Sequence, residues 1–151
     1  MLNWVIKSFK DLSVTELYAI MRLRQEVFIV EQNCPYLDAD GKDLKCHHLM
    51  GYVNDELVVY SRLVPPGVSY EEVSIGRVVS SIAHRKMAYG IQLMEESISQ
   101  IEKLYGNVPI RIGAQQYLQR FYEGFGFIRI GEPYMEDGIP HIIMLKEASN
   151  R

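Results

Sequence analysis

The stretch that decides the fold is IGRVVSSIAHRKMAYGIQLM, residues 75–94. Its first part belongs to VSIGRVVS, residues 73–80, a β-branched run that reads as a strand. Its last part opens an amphipathic helix over 88–104, with Ile91, Met94, Ile98 and Ile101 on one stripe. Between them lies a basic turn, Arg85 and Lys86 followed by the small residues Ala88 and Gly90. The start of a helix carries unpaired backbone N–H groups and a partial positive charge, which suits it to phosphate. Small residues let a ligand approach the backbone closely. Arg-x-x-small-x-Gly between strand and helix is therefore a phosphate-binding context, and a basic loop in which Gly90 simply packs on a neighbour is the competing reading. The turn lacks the Gly-Lys-Ser/Thr of a Walker loop and two of the three glycines of a dinucleotide fingerprint.

Working outward, residues 3–9 alternate as a first strand, with Trp4 and Ile6 on one face. Ser13 and Glu16 form a capping box that opens a helix over Val14–Ile29. Residues 31–46, with Pro35, Gly41 and three aspartates, read as a loop. HHLMGYV and LVVYSRLV flank Asn54-Asp55-Glu56 and form a hairpin. After the central strand and helix come a strand over 108–114, a short helix over 116–124, and two strands, 127–134 and 139–146, around Glu136-Asp137-Gly138. The order β-α-β-β-β-α-β-α-β-β, with a strand-helix-strand step across 73–113, predicts an α/β (α+β) fold. Its central sheet is mixed and mostly antiparallel, with helices on both faces.

The 151 residues suit one domain spanning 1–151. A net charge of −3 gives no electrostatic case for nucleic acid, and no apolar run reaches the length of a membrane span. Lys7, Lys10 and Asp11 interrupt what would be the core of a signal peptide, so a cytoplasmic protein with reduced Cys34 and Cys46 is expected. Cys34, Cys46, His47 and His48 lack zinc spacing, and the DADGKD run, residues 38–43, lacks the spacing of a calcium loop; no metal is expected.

Four stretches, LRQEVFIVEQNCPYLDADGKD, IGRVVSS, LQRFYEGFGF and EDGIPHI, occur in an order that resembles the GNAT superfamily of acyl-CoA-dependent N-acetyltransferases, and its small ElaA-like branch most closely. The resemblance implies a GNAT-like acyl-CoA N-acyltransferase fold and acetyl-CoA as the cofactor. In such proteins the coenzyme pyrophosphate sits on the turn, here Arg85, Lys86, Met87, Ala88, Tyr89 and Gly90. The pantetheine arm pairs with the preceding strand, here Val78, Val79 and Ser80. An N–H near Val78 or Val79 would face the thioester oxygen. Gln115, where many members have asparagine, would contact an amide of the arm. Ala88 replaces a common glycine, as does Lys86.

Tyr122 matches the tyrosine that family members place beside the coenzyme sulfur as general acid; packing among Phe121, Phe125 and Phe127 is its other role. His141 is a candidate general base, or a strand histidine held by a carbonyl. Glu31 is a candidate base or binder of a cationic substrate, or a solvated carboxylate. Arg24 lies seven residues before Glu31, on one helical face with it, and both could line the acceptor pocket together with Arg77 and His141. The expected reaction is direct acetyl transfer to a primary amine on a small molecule or peptide in a ternary complex. A non-catalytic acyl-CoA module and transfer of a longer acyl chain are the alternatives. A homodimer is the commonest assembly for such a chain.

Overall fold

A computed structural model describes residues 1–150, with the Lys86 side chain and Arg151 outside the described part. Seven strands form two antiparallel sheets. The first has the order β1 (Asn3–Ser8), β2 (His47–Val53), β3 (Glu56–Val64), β4 (Ser74–Ser80). The second has the order β5 (Ile110–Gln115), β7 (Ile139–Lys146), β6 (Ile128–Glu136). The expected parallel step is confined to one bridge, Val73 with Ile110, where the Arg111 N–H donates to the Val73 carbonyl at 3.0 Å. Past that point β4 and β5 part, because a bulge bends β4. Tyr60 faces Val79 and Arg62 faces Gly76, so Arg77 and Val78 oppose Ser61 alone. Arg77 takes up the extra residue in the left-handed region, at φ 51°.

Both hairpin turns have the chemistry that a two-residue primed turn requires. Asn54 and Asp55 have φ of 49° and 65°, and Asp137 and Gly138 have 50° and 76°. In β2, Gly51 has no room for a side chain: a Cβ there would stand 2.4 Å from Val59 Cγ2 and 2.8 Å from Trp4 Cζ3. Trp4 and Ile6 share the face read from the sequence.

Helices cover both faces of the first sheet. α1 (Val14–Arg24) opens on the Ser13–Glu16 capping box and presses Ile20 and Leu23 onto Met50, Tyr60 and Val79. It does not stop at Ile29: Gln25–Glu31 continue as a π-helix. α2 (Tyr89–Tyr105) lies on the opposite face, with Leu93 against Leu49 and Val59, and Met94 and Ile101 against Leu63 and Ile75. Its buried row is Leu93, Met94, Ser97 and Ile101, whereas Ile91 is exposed. Ser97 fits in this row because its hydroxyl bonds Ser61 Oγ at 2.8 Å and the Leu93 carbonyl at 2.7 Å. α3 (Gln119–Glu123) follows a 3₁₀ turn after β5 and brings Tyr122 into the shared core.

The acidic loop is tied down by buried arginines. Arg24, fully buried, bonds Asp38 at 2.7 Å and Asp43 at 2.9 Å. Arg62 bonds Asp40 at 2.6 Å and Asp43 at 3.0 Å. Arg77 bonds Asp38 at 2.7 Å. Three cations thus meet three anions, and the loop is fastened to β3 and to the β4 bulge. Burial alone would raise the carboxyl pKa values, but the arginines hold Asp40 well below the usual carboxylate range and lower Asp43 too. A depressed folded pKa gives stability that is complete above the unfolded value near 4 and is lost as pH falls from there through the folded values. Urea denaturation should therefore show stability declining below about pH 4. Asp43→Asn should weaken that decline and cost about 3 kcal/mol at pH 7, because it leaves Arg24 and Arg62 short of one buried counter-charge. A variant as stable as the parent at pH 7 would contradict this role.

Candidate active site

The divergence of β4 from β5 opens a cleft of about 1030 Å³, large enough for a sizeable ligand. One wall is β4 from Ser74 to Ser80 and the other is β5 from Ile112 to Gln115. Segment 31–42 reaches across, since Cys34 Sγ donates to the Asp137 carbonyl at 3.3 Å and Gln115 Nε2 meets Gln32 Oε1 at 3.4 Å. Tyr36, Leu37, Asp40 and Lys42 of the loop read over 31–46 line it.

At one end, β4 leads into a 3₁₀ segment, Ile82–Met87, and then into α2. The basic turn is thus a wound segment. Ala88 is its pivot, at φ 58°, a conformation that favours glycine. Unlike α1, α2 has no side-chain cap, so its first N–H groups have no side-chain partner there. A Cβ at Gly90 would meet Ser80 Oγ at 3.7 Å and Phe121 Cζ at 3.9 Å, ordinary van der Waals contacts. Val78, Val79, Ser80, Arg85, Ala88, Gly90 and Gln115 all line the cleft. Met87 and Tyr89 do not form its wall: Met87 is exposed, and Tyr89 stacks on His84 with ring centres 6.4 Å apart. Those two would contribute through backbone alone. The Lys86 side chain lies outside the described residues.

Tyr122 is both a core residue and a wall of the cleft. Its ring meets Phe121 and Phe127 edge-on, at 5.1 and 6.2 Å between centres. Its hydroxyl has no hydrogen-bond partner among the described residues. Burial pushes its pKa up to about 12, so it holds its proton at neutral pH.

At the other end, Gln115, His141 and Tyr134 stand opposite one another across β5, β7 and β6 and so share one face. His141 Nδ1 lies 2.7 Å from the Ile139 carbonyl. A carbonyl only accepts, so Nδ1 carries the hydrogen and Nε2 is the basic atom in the neutral ring. Nε2 lies 3.4 Å from Glu136 Oε2. A proton on Nε2 would make the two an ion pair. Beside them a Cβ on Gly113 would meet the Tyr70 hydroxyl at 2.8 Å and the Tyr134 hydroxyl at 3.0 Å, so glycine makes room for both.

Of three residues expected at the acceptor pocket, Arg24 lies elsewhere, while Arg77 and Glu31 line the cleft with their charges already paired. Arg24 does not face the cleft; it is buried in the Asp38–Asp43 network. It parts from Glu31 because the π-helix winds more residues per turn than the α-helical spacing assumed. Arg77 lines the cleft, but its guanidinium is bonded to Asp38 and Asp40. Glu31 lines the cleft and accepts from Arg85 with both carboxylate oxygens. Arg85 holds its carboxyl below the usual range, which makes it a weakened proton acceptor in this state. The three aspartates of the loop, Asp38, Asp40 and Asp43, are neutralised by arginines. Glu136, Tyr134 and Tyr70 escaped the sequence reading. The strand alternation around His141 could have found Tyr134, but nothing local marks Tyr70 or Glu136.

Residues 45–148 match the model of the acetyltransferase (GNAT) domain. The protein ElaA of Escherichia coli is 46% identical over 149 residues, 97% of each chain, and its crystal structure superposes with a TM-score of 0.90, covering 97% of this chain and 100% of that one. An acyl-CoA N-acyltransferase from Pseudomonas aeruginosa, 45% identical, superposes at 0.92 over 97% of this chain and 99% of that one. A GNAT family acetyltransferase from Elizabethkingia anophelis with acetyl-CoA bound shares the fold at 0.64 with 15% identity, covering 97% of each chain. No helix among the described residues is long and apolar enough to cross a membrane. A splayed pair of sheets around one cleft, a family match over most of the length, and close relatives covered nearly end to end make this chain a member of the GNAT acetyltransferase family, on its ElaA-like branch, with the acyl-CoA N-acyltransferase fold.

Proposed function

We propose that the protein transfers an acetyl group from acetyl-CoA to a primary amine, carried by a small molecule or a peptide, with both substrates bound in the cleft at once. The observation that carries this reading is the edge of β4, unpaired past the Val73 bridge, running beside the Tyr122 hydroxyl into the uncapped start of α2. The residues present suit acetyl-CoA. An amide-bearing arm would satisfy the backbone groups of Val78–Ser80. The first N–H groups of α2, unobstructed by a side chain at Gly90, would hold phosphate, with Arg85 beside them.

Acetyl-CoA supplies the activated carbonyl. The chain supplies the three services that amide formation needs. A β4 N–H near Val78 or Val79 would stabilise the oxygen as negative charge develops on it. Tyr122, protonated at neutral pH, would offer its hydrogen to the departing sulfur. His141 Nε2 would take a proton from the amine, with Glu136 at 3.4 Å stabilising the resulting imidazolium. Direct attack fits the cysteines: neither lines the cleft, and burial pushes the Cys46 thiol up to about 11.

Tyr122→Phe should lower kcat by about 100-fold while acetyl-CoA binding changes little, since the hydroxyl acts on the reacting sulfur. An unchanged kcat would remove Tyr122 from the chemistry. Calorimetric titration of CoA into Gly90→Glu should show affinity reduced about tenfold or more, because the glutamate puts bulk and negative charge at the phosphate seat. Equal affinity would move that seat elsewhere. Tight acetyl-CoA binding without thiol release across a broad amine panel would make the protein a binding module.

A further inference from the structure

Arg85 and Glu31 are 54 residues apart in sequence, yet the guanidinium fork holds both oxygens of the carboxylate. Arg85 belongs to the 3₁₀ segment at the phosphate end of the cleft. Glu31 ends the π-helix, and the next residue, Gln32, meets Gln115, which stands opposite His141 at the acceptor end. The pair therefore joins the two halves of the site, and both members line the cleft. A guanidinium fork engaged bidentately by a carboxylate presents the same donors to a phosphate, and the two anions compete for it.

We infer that Glu31 acts as a stand-in anion on Arg85 in the free protein. The coenzyme phosphate displaces it, and its carboxylate is released at the acceptor mouth to receive the ammonium of the incoming amine. This rests on the acetyl-CoA reading above and adds an order to it: donor first, amine second. Both side chains are part-exposed, at 41% and 34% of their area. An exposed pair of this kind is weak enough to be exchanged for a phosphate on binding. The released charge would stand beside Gln32, on the side of the cleft that holds His141 and Glu136.

The test is a double-mutant cycle on CoA affinity, by calorimetry, with Glu31→Gln, Arg85→Gln and the double variant. Removing the competing anion should tighten CoA binding about threefold to fivefold in Glu31→Gln. Arg85→Gln should weaken binding, and in that background Glu31→Gln should give no gain. A gain that persists without Arg85 would be general charge repulsion and would overturn the exchange. So would unchanged or weaker CoA binding in Glu31→Gln. Carbon NMR of the wild-type Glu31 carboxyl gives a second readout: its titration should move upward when CoA saturates the protein. An unmoved titration, with CoA bound, overturns the exchange and leaves the acetyl-CoA reading standing. Failure of the wild type to bind CoA overturns both.

Discussion

One parallel contact, Val73 with Ile110, joins two antiparallel sheets, and the site exists because pairing stops there. Had β4 and β5 continued in register, their backbone groups would satisfy one another and leave no cleft. The bulge at Arg77 prevents this by opposing two residues of β4 to Ser61 alone. A strand edge with unspent donors and acceptors is a liability on an outer surface. Here it faces inward, between Tyr122 on one side and the start of α2 at its end. The same bend that opens the cleft thus creates the surface that suits an amide-containing ligand.

The bulge is held by charge. Arg77 reaches Asp38, Asp38 also receives Arg24, and Asp43 links Arg24 to Arg62. Burying ions is costly, and such a network is weak evidence for added stability. Its geometric consequence is clearer: it fixes the loop bearing Tyr36 and Leu37 over the cleft. His48 extends it, with one ring nitrogen 2.7 Å from the Tyr60 hydroxyl and the other 3.0 Å from the Asp43 carbonyl, and burial disfavours its charged form. The acidic loop is structural in the free protein, so the proposed acetyl transfer leaves recognition of a cationic acceptor to Glu136, His141 and Glu31.

What was legible in the sequence was local. Ser13 and Glu16 announce a helix because their hydrogen bonds close within one turn, and Asn54-Asp55 and Asp137-Gly138 announce hairpins because few residues accept positive φ in succession. The turn between β4 and α2 was legible in the same way, from the spacing of Arg85, Ala88 and Gly90. What depended on distant partners was not. Helical spacing put Arg24 with Glu31, but the π-helix rotates them apart, and their partners, Asp38, Asp43 and Arg85, arrive from other segments. The stripe read from Ile91 gave no sign of Ser97, which joins the buried row of α2 because Ser61 faces it from β3.

The most direct measurement is amide hydrogen exchange with and without acetyl-CoA, read residue by residue along the two candidate edges. If the cleft holds the donor as described, the amides of Val78–Ser80 and of the first turn of α2 slow together on saturation, while the outer edge of β6 at Ile128–Ile130 is unchanged. Acetyl-CoA binding that leaves Val78–Ser80 unprotected would contradict the account, because the unpaired edge of β4 would then have no part in holding the ligand.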